Sequence, residues 1–270
     1  MREVDEALAR AFAQRSPVES SEGVPPAPHL PGRAFKAKAS KITEPAKPKE
    51  SPFSELFAGK HATELMWSPL VLALEREWGE RFERLADTLI EARDRRNLKV
   101  FLFTSCHRAE GRTTLVLALA RALARRPRRT LLVDADLSGP MLAKSLGLRP
   151  LVGLDDVVES GQAIIEALIE APRDHLSILP LRAAVARPRD FLASAAWTCS
   201  MARLRREFDL ILLDGSPMFT GLSASVLHSS VDAAILVHNR SMTGERAILR
   251  AGEVLEAGGI PLLGLAETFV

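Results

Sequence analysis

Three short stretches hold residues whose types and spacing could do phosphate chemistry. The first is "TSCHRAEGRTT", residues 104–114, which follows an apolar run and precedes a stretch rich in Leu and Ala. Backbone amides converging at the start of a helix bind oxygen anions, glycines allow the close approach, and a lysine and a hydroxyl complete such a loop. Gly111 and Thr113 fill two of the four fixed places of the pattern G-x-x-x-x-G-K-[ST], while Cys106 stands in the first glycine's place and Arg112 in the lysine's. The candidate cradle is therefore Ala109, Glu110, Gly111, Arg112, Thr113 and Thr114. A polyphosphate is the ligand such a loop takes, with Mg2+ beside it.

The other two stretches supply acids. "TLLVDADLSGP" carries Asp134 and Asp136 two residues apart, and "FDLILLDGSP" carries Asp214. Carboxylates at the ends of parallel strands can reach Mg2+ or its waters and a terminal phosphate. Each aspartate alone could instead cap a helix or a turn. Three acids in this order, each ending an apolar run, favour the phosphate site.

Such a site needs a sheet whose strand ends lie side by side. Short apolar runs rich in Val, Ile and Leu occur at 99–103, 130–135, 176–180, 210–214, 233–237 and 262–266. They read as strands covered on both faces. Helical stretches lie between them, near 113–126, 155–170, 189–206, 222–230 and 243–257. This alternation predicts an α/β fold, a doubly wound and mostly parallel sheet with helices on both faces, whose ligand site lies at the carboxyl ends of the strands. Before the first strand, Leu70, Val71, Leu74, Trp78, Leu85 and Leu89 mark one face of a long amphipathic helix, with Ser68 and Pro69 suited to its N-cap and first position. That helix either packs on the core or forms an oligomer contact.

The domain is expected over residues 65–270. Eight of the 17 prolines fall between Pro17 and Pro52, among Lys, Ser, Glu and Ala, so residues 1–60 are expected to form a disordered tail. Within it, the spacing of Val4, Leu8 and Phe12 fits a short docking helix and equally a fraying helix with no role. A balance of 36 basic and 34 acidic residues argues against nucleic acid as a global partner. The local cluster Arg121 to Arg129 reads as a solvated helix end or as a surface for an acidic partner or anionic membrane. Two distant cysteines, Cys106 and Cys199, make no disulfide framework and fit a reducing cytoplasm. The first 15 residues lack the apolar core of a secretory signal. Cys106 is expected to be a small apolar filler, and His228 and His238 to be structural. His107 faces either solvent or a phosphate or partner.

Taken together, the loop, "LLVDADLSGP", "GLDDVV" (153–158), "DLILLDGSP" and "SSVDAAILV" resemble the bacterial tyrosine kinases of capsule and exopolysaccharide assembly, P-loop ATPases related to the Min/Par group. The resemblance implies that Arg112, Asp134 and Asp136 occupy catalytic places. It implies that Thr113 holds Mg2+ directly, with Asp134 beside it, and that Asp214 holds a metal-bound water. It further implies docking on a membrane-embedded polysaccharide co-polymerase or chain-length regulator, a cytoplasmic location at the inner face of the membrane, and self-association. The family's oligomerisation pattern has its nearest match at Trp78, Arg81 and Arg84, with Trp in the Glu place.

The departures from that family are chemical. Arg112 is longer, planar and forked where the loop is shaped for a compact ammonium. Losing a well-placed transition-state donor slows a reaction by about a hundred- to a thousand-fold, about 2.7–4 kcal/mol. Ala109 stands for a glycine, which strains the loop if φ is positive there. Ser223 stands where the family often has Asp. The chain contains no tyrosine, so these 270 residues hold no acceptor for tyrosine autophosphorylation. The expectation is a degenerate kinase-like protein that binds ATP or ADP weakly or turns it over slowly, acting as a regulator. The alternatives are an active ATPase or kinase acting in trans, with Arg112 replacing the lysine, and a nucleotide-free scaffold.

Overall fold

The computed structural model describes residues 64–220 and 224–269. The proposed tail with its Val4–Phe12 spacing, and Ser223, lie outside the described residues. The first element is helix α1 (Pro69–Arg96), begun as its sequence predicts: the Ser68 hydroxyl accepts the Val71 N–H and Pro69 takes the first helical position. It ends at Asn97 in the left-handed conformation. Its buried stripe is Val71, Ala86, Leu89 and Ala92, with Phe82 and Leu85 packed beside it. Leu70, expected on that face, is exposed.

The chain then runs β1 (Val100–Ser105), α2 (Arg112–Ala124), β2 (Thr130–Ala135), α3 (Leu142–Ser145), α4 (Leu154–Glu159), α5 (Ile164–Ala167), β3 (Ile169–Ala171) and β4 (Leu176–Leu179). It continues with α6 (Pro188–Ala193), α7 (Ala195–Glu207), β5 (Leu210–Gly215), α8 (Ala224–Leu227), β6 (Ala233–Asn239), α9 (Glu245–Ala257) and β7 (Leu262–Thr268). The seven strands form one sheet in the order β3-β4-β2-β5-β1-β6-β7. Every pairing is parallel except β3 with β4. The doubly wound, mostly parallel sheet expected from the alternation is present.

Two helix expectations need correction. The stretch at 155–170 contains two short helices and the antiparallel edge strand β3, and the stretch at 189–206 is broken at Ser194. Ser194 caps the new helix by accepting the Trp197 N–H at 3.1 Å.

Strand alternation divides the core in two. Val100 and Leu102 of β1, with Ile211 and Leu213 of β5, face the side holding Phe191, Trp197, Met201 and Phe208. Phe101 and Phe103, with Leu210 and Leu212, face the side covered by α1 and α2. Each such fully buried side chain contributes about 1.5–3 kcal/mol. Because Leu132 of β2 faces the α2 side, period two carries Asp134 to that same side, and Leu212 carries Asp214 there. Register completes the placement, since Asp134 pairs with Asp214 across β2 and β5.

The basic cluster finds its acids on α1. Arg121 pairs with Glu75 at 2.7 Å, Arg125 with Glu75 and Glu83, Arg126 with Glu83 and Asp87, and Arg128 with Asp94 at 3.0 Å. The acidic partner contemplated for this cluster is thus part of the same chain. Trp78 and Arg81, from the imperfect oligomerisation pattern, stack on each other, with the guanidinium carbon 4.1 Å from the ring centre.

The entry of β1 is held by one side chain. Asp232 accepts the N–H groups of Lys99 at 2.7 Å and Val100 at 2.9 Å and pairs with Arg205. Asp232→Ala strips two backbone donors and a guanidinium of their acceptor, and is expected to destabilise by about 2–3 kcal/mol in urea unfolding. An unchanged midpoint would mean that water serves these donors equally well.

Candidate nucleotide site

The loop after β1 lies at the carboxyl end of a central strand, flanked by β5 and β6. Ser105 ends β1, and α2 starts at Arg112 with Gly111 as N-cap at φ 78. The first bond of the helix runs from Leu115 N–H to the Gly111 carbonyl at 2.9 Å. The amides of Arg112, Thr113 and Thr114 precede it and point outward, as at any helix N-terminus. Ala109, at φ 62, shares the left-handed conformation with Gly111. Positive φ at alternate residues curls successive amides toward one point, an anion nest. Gly111 also admits β7, since a Cβ there would meet Thr268 at 3.2 Å.

Glu110 braces this curl and is itself buried. Its carboxylate accepts the N–H of His107 at 2.6 Å and of Asn239 at 3.2 Å, and the Thr243 hydroxyl. Its carbonyl accepts the Thr268 hydroxyl at 2.8 Å. Sequence reading placed Glu110 in the cradle by position. Its side chain instead ties the loop to the end of β6, and its carbonyl ties it to β7.

All three aspartates gather beside the loop. Asp214, 1% exposed, receives Arg112 Nε at 3.0 Å on one oxygen and the Thr113 hydroxyl at 2.6 Å on the other. Asp136 receives Arg112 Nη2 at 2.8 Å, Arg108 Nη1 at 3.2 Å, and the hydroxyls of Ser138 and Ser216. Arg112 Nη1 completes the fork on the Ser105 hydroxyl at 2.8 Å. Ser105 in turn donates to the His107 carbonyl at 2.7 Å. Asp134 is wholly buried and accepts two backbone N–H groups, from Leu142 at 2.9 Å and Asp136 at 3.2 Å. Thr114 is partly exposed in the first turn of α2.

Arg112 therefore points away from the curl and down onto the acids. At 8% exposure it is a buried cation on two buried carboxylates. Burial pushes the Asp214 carboxyl up, and the guanidinium and the Thr113 hydroxyl pull it back. Burial, then the charge of Asp214, raises Asp134 to about 8 against the pull of its two amide donors.

The resemblance assigns Mg2+ to Thr113, Asp134 and Asp214. As arranged here these groups do not fit that ion. The Arg112 guanidinium already lies on Asp214 and supplies the positive charge there, while Asp134 and the Thr113 hydroxyl are engaged within the chain. Among the described residues no group of three or more His, Cys, Asp or Glu is set to hold a metal.

No family model matches the chain. It is similar to the tyrosine-protein kinase CpsD of Streptococcus pneumoniae, with 27% identity over 169 residues, 62% of this chain and 74% of that protein. The chain is a homologue of the bacterial tyrosine kinases. The crystal structure of the VpsO kinase domain shares the fold at TM-score 0.64, with 24% identity over 73% of this chain and 98% of that one. MinD-like P-loop ATPases are further relatives. The septum site-determining protein MinD of Pyrococcus horikoshii, solved with Mg-ADP, matches at TM-score 0.51 and 26% identity over 62% of this chain and 68% of that one.

Against this tyrosine-kinase background, several site residues escaped the sequence reading. Ser105, Arg108, Ser138 and Ser216 all touch the acidic cluster directly or through Arg112. Each lies within a few residues of a recognised motif, and that proximity was the available signal. Cys106 is buried, as expected of a filler, and burial followed by the charge of Glu110 pushes its thiol to about 11. His107 is exposed, with its ring centre 5.7 Å from that of Phe219. His238 is buried, and burial lowers its pKa.

Two substitutions test this geometry in urea unfolding. Arg112→Ala leaves Asp136 and Asp214 without their shared cation and is expected to destabilise the fold by about 3–5 kcal/mol. A loss under about 1 kcal/mol would show that the guanidinium is not held there. Ala109→Gly relieves a left-handed alanine and is expected to stabilise by about 0.5–1 kcal/mol. A lower stability would mean that the loop does not hold that φ.

Proposed function

We propose that this chain is a regulatory P-loop protein of capsule or exopolysaccharide assembly that binds ATP or ADP and hydrolyses it slowly or not at all. The observation that carries this reading is the fork of Arg112 on Asp214, Asp136 and Ser105. The positive φ at Ala109 and Gly111 supports a curl of amides suited to a polyphosphate. The cation that would reach into that curl is instead held by the acids beneath it. Binding without efficient turnover is what this division of labour supports.

The relationship to tyrosine kinases supports the pathway, and the resemblance supports a membrane-embedded polysaccharide co-polymerase or chain-length regulator as partner, at the inner face of the membrane. Among the described residues no helix is long and apolar enough to cross a membrane. These 270 residues offer no tyrosine, so a tyrosine acceptor would lie outside them.

The test is a titration of the purified chain with labelled ATP, with phosphate release followed in parallel. Binding in the micromolar to millimolar range is expected, with phosphate release about a hundred-fold or more below that of an intact P-loop relative. Absence of binding at millimolar nucleotide removes the reading in favour of a scaffold. Brisk turnover that disappears in Asp214→Asn replaces it with an active ATPase.

A further inference from the structure

We infer that Arg112 is a built-in replacement for the divalent cation: its guanidinium supplies, among Asp214, Asp136 and Ser105, the positive charge that a metal would otherwise bring, so that the site needs no Mg2+. The inference concerns the site of the proposed function, and its nucleotide arm rests on that reading, whereas its metal arm does not.

Three observations converge. The three nitrogens of the guanidinium reach three different oxygens, Asp214 Oδ1 at 3.0 Å, Ser105 Oγ at 2.8 Å and Asp136 Oδ2 at 2.8 Å. A planar fork addresses three oxygens from three separate nitrogens, whereas lysine offers a single compact ammonium. The Thr113 hydroxyl donates to the second oxygen of Asp214 at 2.6 Å, so both oxygens of that carboxylate are held from the first turn of α2. A second guanidinium, that of Arg108, lies on Asp136 from the outer side and also holds Ser138 at 2.8 Å. Asp136 is therefore enclosed by cations from two directions.

A hard divalent ion needs oxygens at about 2.0–2.1 Å in near-octahedral array and keeps several of its waters. Here the oxygens it would use already accept N–H or O–H donors, and a fixed positive charge stands among them. Entry of the ion would require expelling Arg112 from a buried double ion pair, which breaks the pair and leaves the guanidinium to find new partners. The site's demand for positive charge is met by the polypeptide itself.

The experiment uses the full chain, Arg112→Ala and Arg112→Lys. Its first arm follows thermal unfolding with and without millimolar MnCl2 in the absence of nucleotide. The wild-type transition is expected to stay put. That of Arg112→Ala is expected to rise by at least about 3 °C, because its vacated acids then bind the ion. Arg112→Lys takes that role if the alanine variant does not fold. An equal rise in the wild type overturns the inference, and so does a variant that ignores the metal.

The second arm titrates ADP calorimetrically in excess EDTA and in millimolar Mg2+. Wild-type affinity is expected to agree within about twofold between the two, while Arg112→Lys binds at least about tenfold more tightly with Mg2+. A tenfold gain from Mg2+ in the wild type overturns the inference. Failure of ADP to bind under either condition, with the manganese result as expected, removes the nucleotide reading and leaves the cation replacement standing.

Discussion

Two carboxylates buried at the ends of adjacent parallel strands cannot stay there without a cation, and the rest of this site follows from how that demand is met. Asp214 and Asp136 lie where β5 and β2 end under the first turn of α2. Isolated charges at such depth would cost several kcal/mol each. The helix that closes the phosphate loop brings its own guanidinium to them from its first residue. The element that shapes the anion nest thereby also neutralises the acids below it. In a loop with lysine those two duties are separable, because an ammonium on a flexible stem can serve the phosphates while a metal serves the acids. With arginine bound in three directions they are joined.

The joining accounts for the surrounding polar residues. Ser105 accepts from Arg112 and donates its own hydroxyl to the loop carbonyl of His107, so the position of the guanidinium is coupled to the path of the loop. Glu110 fastens the same loop from the other side to the ends of β6 and β7. Held from both sides, the segment keeps Ala109 in a left-handed conformation that an alanine would not adopt alone. Strain of this kind persists only where neighbouring structure over-determines it.

The fold was largely legible in the sequence because buried parallel strands leave an uninterrupted apolar signal. All six expected strands exist, and "TLLVDA" spans β2 end to end. What escaped notice lacked such a signal. The edge strand β3 has three residues inside a stretch of mixed polarity, and only its antiparallel pairing with β4 defines it. The break at Ser194 is a capping event within a run whose composition remains helical on both sides. At the site, alternation and register were enough to bring Asp134 and Asp214 together. The direction of the Arg112 side chain was not legible, because it depends on Ser105 and Asp136 approaching from separate elements.

The arginine-rich end of α2 shows the same principle at the opposite pole of that helix. Its guanidiniums lie along the acidic row of α1, from Glu75 through Glu83 and Asp87 to Asp94. Most of these pairs are solvent-accessible, so each contributes modestly. One helix is thus anchored by arginine at both ends, by buried carboxylates at its start and by surface carboxylates at its finish. The start is the costlier anchor to disturb, because there no water replaces a lost partner. A ligand that drew Arg112 off its acids would act against that buried pair, whereas one that met only the outward amides would leave it intact. The chemistry open to this P-loop is set by that asymmetry.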